Sequence, residues 1–270
     1  MRLWFWIDSF LVFVTGIQLF VLSEFTDRFF AWTIMPPLTA AFLGAAYWAS
    51  FPLVLLSARQ TTWHRARIAV YGVLAFTTLT LVATVLHLDR FHLHSPDPLA
   101  VIAAWAWLVV YVSVPPALLV LLILQLRRPG DEPPRALPLP PALRLLLGVQ
   151  AVGLLITGIV LFLAPQTPIW PWALTPLTGR AVGAWLVGIG LIAAHAGWEN
   201  DFVRLRAAFI AYTLLGALQL VAVARYPGTV VWDGAPIFVY LVVVASFLAV
   251  GLYGLLTQRA RAIAPGQVQP

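Results

Sequence analysis

Histidines and acidic residues cluster in one short segment, His87-Leu-Asp89-Arg-Phe-His92-Leu-His94. Imidazole and carboxylate groups together, without thiols, are suitable ligands for Zn²⁺ or Cu²⁺. His92 and His94 project to one side of an extended chain, whereas His87 and His94 share a face on a helix. His87, Asp89, His92 and His94 are therefore candidate metal ligands, although no HExxH-type spacing is present. The alternative is a solvated polar loop whose charge changes with pH.

Ionisable side chains are rare inside the apolar segments, so each one is a candidate. Asp8 lies near the start of the first segment, Gln150 occupies the corresponding place in the fifth, and His195 lies near the end of the sixth. Intramembrane carboxylates usually face a protein interior and often have a function. An ion pair would also explain Asp8, and the candidate arginines are Arg2, Arg65 and Arg67. For His195 we expect a hydrogen bond in the core.

Several arginines could bind phosphate headgroups. Four of them flank two short connections: Arg65, Arg67, Arg204 and Arg206. They are predicted to anchor the topology, with binding of anionic lipid as the alternative. Arg180 begins the sixth segment, where it is expected to pair with Glu24 or Asp27 or to hold an anionic headgroup.

Two residue types are missing, which excludes several kinds of chemistry. The chain has no Cys, and all 16 basic residues are Arg. Thiolate catalysis, iron–sulfur clusters, lysine Schiff bases and P-loops are thereby excluded. No hydrolase, transferase or nucleotide motif occurs, so an enzyme is not favoured, and the sequence leaves the cofactor unknown. An all-Arg chain is typical of a GC-rich bacterial genome.

The composition indicates what must position these residues. Hydrophobic residues make up 61% of the 270 residues and charged residues 10%, with a mean hydropathy of +0.92. These values predict an all-α membrane protein, because only helices and closed barrels satisfy the backbone in lipid. Eight segments are long enough to cross a bilayer. They are Leu3–Leu22, Leu38–Ser57, Ile68–His87, Leu99–Leu126, Leu143–Ala164, Ala181–Trp198, Ala207–Arg225 and Pro236–Leu256.

The placement of arginine predicts the orientation. Both termini and the even-numbered connections hold 12 of the arginines, and the odd-numbered connections hold 4. By the positive-inside rule both termini are cytoplasmic, as in a multi-pass protein of the cell inner membrane. The net charge of +6 therefore reflects topology, and nucleic acid is not an expected partner.

The two halves of the chain resemble one another. RLWFWIDSFLVFVTGIQLF, from Arg2, aligns without gaps with RLLLGVQAVGLLITGIVLF, from Arg144. Further on, Pro37-Leu-Thr matches Pro176-Leu-Thr at an offset of 139. We interpret this as a duplication in which both repeats have the same orientation, related by an axis along the membrane normal. The predicted units are a four-helix repeat at 1–126, a proline-rich linker at 127–142, a second repeat at 143–260 and a tail at 261–270.

The second half carries motifs similar to a known family. Arg144-Leu-Leu-Leu-Gly148, Thr157-Gly158 and Thr178-Gly-Arg-Ala-Val-Gly183 resemble the small four-helix membrane proteins of the DoxX-like group. The resemblance covers about 60 residues, and Ala41 stands where the first half would carry the arginine. It implies a four-helix bundle in each half and, in some family members, a role beside quinone-linked oxidoreductases.

Three functions follow as hypotheses. The first is a non-catalytic protein that binds a lipophilic ligand (a lipid or quinone) or a membrane protein subunit between its halves. The second is a transporter or scramblase of lipid or a small molecule, whose halves move against each other. The third is a metal- or haem-binding redox subunit that uses the histidine cluster. The outer loops around Trp32, Trp170 and Trp172 are predicted to lie in the headgroup layer.

Overall fold

The protein is all-helical throughout the part of the chain that the structure describes. The computed structural model describes residues 2–60, 63–127, 130 and 132–263, without the side chains of residues 2–8, 58, 65, 66 and 261–263. The helices are α1 (Arg2–Gly16), α2 (Thr26–Phe29), α3 (Pro37–Arg59), α4 (Trp63–Ala66), α5 (Val70–Leu86), α6 (Pro98–Leu126), α7 (Pro141–Leu163), α8 (Pro176–Glu199), α9 (Arg206–Arg225) and α10 (Ala235–Ile263). A π-helical turn, Ile17–Val21, continues α1.

Among the described residues, six helices are long and apolar enough to cross a membrane: α3, α6, α7, α8, α9 and α10. Two further apolar stretches, Ser9–Val21 and Val70–Leu86, are shorter. The architecture is that of a multi-pass membrane protein. Eight spans, as the sequence predicts, would require both shorter stretches to cross as well.

Proline and short polar side chains fix where the long helices begin. Proline occupies the first turn of α3, α6, α7 and α8, where its missing N–H removes no helical hydrogen bond. Asp97 caps α6 by accepting a hydrogen bond from the Leu99 N–H at 2.9 Å, which lowers the pKa of the Asp97 carboxyl. Thr175 and Thr178 form a reciprocal capping box on α8.

The long helices pack as four hairpins, and each hairpin packs mainly against a hairpin from the other half of the chain. The hairpins are α1–α3, α5–α6, α7–α8 and α9–α10. The main contacts between hairpins join α3 to α9 and α5 to α8, so each half packs chiefly on the other. The predicted arrangement of one four-helix bundle in each half is therefore not confirmed for the described residues.

Corresponding glycines allow two helix pairs to approach closely. A Cβ on Gly44 would lie 2.3 Å from the backbone N of Phe20, and one on Gly183 would lie 2.8 Å from that of Phe162. Phe20 and Phe162 are 142 positions apart, and the glycines 139. The first and second helices of each half thus meet at matching positions. The duplication itself stays a prediction.

Two ends of the molecule can be distinguished. The linker end carries residues 132–140, the α4–α5 connection and the α8–α9 turn, which hydrogen bonds join together. The far end carries the remaining loops, where an isolated bridge pairs Trp32 with Phe91. Trp32 and Trp172 are only 3% and 2% exposed, so these predicted headgroup-layer side chains instead pack inside the protein.

Candidate functional site

A cavity of about 380 Å³ lies among α1, α3, α5 and α6, with α8 as its fifth wall. Pockets for lipophilic small molecules are typically of this size. At about 1.5 Å per residue, the α6 lining from Leu99 to Val114 extends roughly 22 Å, so the cavity is elongated along the helices. Most of its lining is aliphatic or aromatic. The aromatic side chains are Phe29, Phe30, Tyr47, Phe76, Trp107, Tyr111 and Trp185.

The cavity is open to the outside and not enclosed. α1 and α6 both line it, but they are absent from the pairs of helices that make substantial backbone contact. Leu99 and Ile102 line it and are 52% and 63% exposed. An apolar molecule at this surface would therefore meet the cavity without crossing the protein.

Most polar groups of the lining already have hydrogen-bond partners within the protein. The hydroxyls of Tyr47 and Tyr111 lie 2.5 Å apart. Ser50 donates to the carbonyl of Tyr47 at 2.8 Å, and Thr77 donates to that of Val73 at 2.8 Å. The hydrogen bonds of these groups are made within the protein, without a ligand, so they help to hold the fold together.

Two polar side chains of α1 differ from the rest. Thr15 and Gln18 line the cavity and are half-buried, and neither has a hydrogen-bond partner among the described residues. Gln18 lies in the π-helical turn. Such turns occur frequently at functional sites. The Gln18 amide can both donate and accept hydrogen bonds, so it is the most versatile polar group facing this space.

The described lining carries no aspartate, glutamate, arginine or histidine. A charged group inside it would lose its hydration without gaining an ion pair, which is costly. The arrangement therefore favours an uncharged, mainly apolar occupant.

Charged side chains gather instead at the linker end, in a set that we call the charged cluster: Arg67, Glu132, His195, Glu199, Asp201 and Arg204. Glu199 lies at its centre and is 1% exposed. It accepts hydrogen bonds from Arg67 Nε at 2.8 Å and from Arg204 Nη1 at 2.6 Å. One carboxylate thus joins an arginine from each half of the chain.

The linker is fastened to this cluster. Glu132 accepts hydrogen bonds from Arg67 and Arg204, at 2.5 and 3.2 Å. Burial lowers the pKa of the Arg67 guanidinium, but the hydrogen bonds to Glu199 and Glu132 outweigh it and raise that pKa above its ordinary value. The hydrogen bond from Arg67 lowers the pKa of the Glu132 carboxyl. The linker is thus docked on the α8–α9 turn.

The predicted polar residues fall into separate environments. Gln150 donates to Ser246 at 2.8 Å and ties α7 to α10. His195 stacks on Tyr71, and its Nε2 lies 3.5 Å from Glu199, so it belongs to the charged cluster. Asp8 lies in α1, but its side chain is outside the described residues.

The arginines that were candidates for binding lipid headgroups also lie in different environments. Arg67 and Arg204 are buried in ion pairs, which leaves neither free for a lipid phosphate. Arg206 is exposed at the start of α9, and the side chain of Arg65 lies outside the described residues. Arg180 was expected to pair with Glu24 or Asp27, which is wrong.

Arg180 pairs instead with a histidine of the candidate metal site. Its Nη1 lies 2.8 Å from His87 Nε2, which must accept because the guanidinium only donates. His92 donates from Nδ1 to the Phe30 carbonyl at 2.9 Å, and its Nε2 lies 3.0 Å from the Thr33 hydroxyl. Asp89 pairs with Arg90, and His94 is exposed.

The structure therefore does not bring the four predicted metal ligands together. Among the described residues, no group of three or more His, Asp or Glu side chains could hold a metal ion. His87 and His92 already use ring nitrogens in contacts with the protein. The coordination that a redox role would need is not formed by these side chains.

Sequence reasoning missed the residues that the structure makes most prominent. Glu199 directly follows Trp198, which ends the predicted sixth segment. An acid at a helix end near Arg204 was an available signal for an ion pair. Gln18 gave no comparable signal, because a single polar residue in an apolar helix does not indicate which neighbours surround it.

The comparisons with known proteins add no assignment. The chain matches no protein-family model, no curated protein and no solved structure. The resemblance to DoxX-like proteins accordingly stays a prediction, and function must be argued from the cavity itself.

Proposed function

We propose that this chain is a non-catalytic integral membrane protein that binds a lipophilic ligand in the cavity walled by α1, α3, α5, α6 and α8. This site differs from the groove between halves that the sequence suggested, because four of its five walls belong to the first half. The observation that carries the proposal is an apolar cavity of about 380 Å³ that is open to the outside and is lined by the exposed Leu99 and Ile102.

Comparison with the second half supports this interpretation. There, Tyr212 packs on Phe247 with ring centroids 4.9 Å apart, and the Gln150–Ser246 hydrogen bond closes α7 on α10. Side chains thus occupy the interior of the second half. An unfilled interior forfeits packing energy, so a cavity of this size is expected to hold something apolar.

The proposed setting is a bacterial inner membrane that the chain crosses eight times, with both termini in the cytoplasm. The shorter stretches Ser9–Val21 and Val70–Leu86 would complete the eight spans. Fusions of a sidedness reporter after Gly130 and after Asp97 should then report opposite sides. Equal signals would contradict this topology.

The binding proposal is tested by filling the cavity. Ala103 lines it and is half-buried, so Ala103→Phe should occupy the volume near the mouth. The matched control is Ala245→Phe, which adds the same ring to an exposed position on α10. Each protein is purified in mild detergent, and retained lipophiles are quantified by mass spectrometry against protein.

The wild type and Ala245→Phe should retain a lipophile in near-equal molar amount, and Ala103→Phe should lose most of it. Equal retention by all three proteins would contradict binding in this cavity. Ligand flux into proteoliposomes that depends on the same cavity would instead make the protein a transporter.

A further inference from the structure

We infer that the occupant is an uncharged amphiphile, whose polar group is a carbonyl or hydroxyl that hydrogen-bonds to Gln18 and whose apolar chain extends along α6 toward the linker end. This inference rests on the proposed function and adds the class of ligand and the side chain that selects it. It is carried by Gln18, the one amide among the described residues that line the cavity.

Gln18 lies in the π-helical turn Ile17–Val21 that continues α1. A π turn holds one more residue than an α turn. Leu19 and Phe20 are buried, with the backbone of Phe20 directly against Gly44 of α3. Gln18 and Thr15 meanwhile both line the cavity. The turn thus combines tight packing on α3 with a polar group that faces the cavity.

Gln18 lies toward the far end of the cavity. It is three residues before Val21, where the π turn ends, and Phe29 and Phe30, at the end of α2, line the same end. Beyond Gln18 the lining continues along α1 as Val14, Val12 and Leu11, and on the other helices toward Val54 and Val114. A ligand whose polar group meets Gln18 therefore has apolar surface available along the rest of its length.

The charge of the ligand follows from the same lining. Its described side chains offer no counter-ion, and the two buried arginines of the charged cluster are already paired with Glu199. A carboxylate would be desolvated without compensation. A carbonyl or hydroxyl needs only one or two hydrogen bonds, which an amide can supply.

The second half lacks this arrangement. Position 160, which corresponds to Gln18 at the offset of 142, is a valine, and α7 is α-helical from Pro141 to Leu163. Gly183 there contacts Phe162 as Gly44 contacts Phe20. The helix contact is thus present in both halves, whereas the amide and the π turn occur only beside the cavity.

The test uses brominated long-chain probes, because bromine quenches tryptophan fluorescence on contact and Trp107 and Trp185 line the cavity. Four probes share one brominated chain: the alcohol, the methyl ester, the carboxylate at alkaline pH and the alkane without a polar group. Quenching is titrated in detergent, and the Ala103→Phe protein supplies the background from the other tryptophans. A brominated diacylglycerol and a brominated prenyl ketone then distinguish a glycerolipid from a prenyl source.

The alcohol and ester should quench above the Ala103→Phe background, with the alkane and the carboxylate clearly weaker. Gln18→Leu should weaken the alcohol and ester about five- to tenfold, as expected for one lost hydrogen bond, and leave the alkane unchanged. Gln150→Leu makes the same chemical change on α7, outside the cavity, and should leave all affinities unchanged.

The outcomes separate the two proposals. If no probe exceeds the background, the proposed function itself fails. If the alkane or the carboxylate binds as well as the alcohol, or if Gln18→Leu binds every probe like the wild type, ligand binding in the cavity stands and the assignment of Gln18 and of an uncharged polar group is overturned. Circular dichroism and thermal unfolding of each variant exclude misfolding as the cause.

Discussion

The charged cluster and the apolar cavity both contain polar groups within an apolar protein, and they differ in how those groups are satisfied. Glu199, Arg67 and Arg204 bond to one another and to the linker. Gln18 and Thr15 line the cavity, half-buried and without a partner among the described residues. The buried groups of the cluster are thus hydrogen-bonded within the protein, as buried polar groups normally are, whereas we propose that a ligand provides the partner for Gln18.

The largest expected effect comes from breaking the charged cluster. Glu199→Gln removes the central charge. Among the described residues, the buried Arg67 and Arg204 then keep the half-exposed Glu132 as an acidic partner, and Arg204 also keeps the buried Asp201. Loss of one partner in a buried ion pair typically costs about 3–5 kcal/mol. We expect a large fall in the thermal unfolding temperature in detergent, measured by circular dichroism. Binding of the brominated alcohol at low temperature should persist.

The control for this change is Asp27→Asn, which neutralises an exposed carboxylate in α2. It should leave the unfolding temperature close to that of the wild type. An unfolding temperature for Glu199→Gln equal to that of the control would mean that the cluster does not hold the halves together. Loss of probe binding in folded Glu199→Gln would mean that the two sites are coupled, contrary to the comparison.

A smaller effect should distinguish the two glycine contacts. Gly44→Ala and Gly183→Ala each place a Cβ within 3.0 Å of the backbone of a neighbouring helix, so each should cost about 1–3 kcal/mol. Gly44→Ala must also displace the π turn, because its nearest atom is the backbone N of Phe20. It should therefore weaken binding of the brominated alcohol, whereas Gly183→Ala should change stability alone.

Gly148→Ala is the matched control, since a Cβ there meets nothing within 4 Å. Alanine is the better helix former by up to about 1 kcal/mol, so this variant should be as stable as the wild type or slightly more stable. Equal losses of probe binding in Gly44→Ala and Gly183→Ala would remove the special role of the π turn.

The sequence predicted the helical elements better than their arrangement. Helix positions follow from apolar segments between proline and polar residues, and the long segments around Pro37, Pro98 and Pro176 became helices. Which helices touch depends on contacts far apart in the chain, so the pairing of α3 with α9 was not predicted. For the same reason neither the cavity nor the π turn could be anticipated.

The predicted site residues show where local pattern is a poor guide. His87, His92 and His94 are close in sequence, but the local backbone points their side chains in different directions. His87 contacts Arg180, His92 contacts the Phe30 carbonyl, and His94 is exposed. Arg67 and Glu199 are 132 positions apart and form one ion pair. Proximity in sequence suggested a metal site, as one of two alternatives, whose ligands the described residues do not bring together, and distance in sequence concealed the ion pair.

The smallest expected effect is a change of stability with pH, which comes from breaking the contact between His87 and Arg180. Burial first, and then the nearby Arg180 charge, lower the pKa of His87 below its ordinary value of about 6.5. Asp89 opposes this shift and Arg90 adds to it. The folded protein therefore holds His87 neutral, with Nε2 accepting from Arg180 at 2.8 Å. The stability that this contact contributes should be fully present above about pH 6.5 and should be lost as pH falls through the lowered pKa, because protonation places two cations side by side.

His87→Gln keeps an acceptor for Arg180 but cannot be protonated, so it sharpens this prediction. Between about pH 7 and pH 5 the unfolding temperature of the wild type should fall more than that of His87→Gln, by a margin well below the effect of Glu199→Gln. His94→Gln changes an exposed histidine of the same loop and should follow the wild-type profile. Parallel profiles for the wild type and His87→Gln would mean that Arg180 does not depend on a neutral His87. The Arg180–His87 contact would then differ from the charged cluster, where paired charges are buried together.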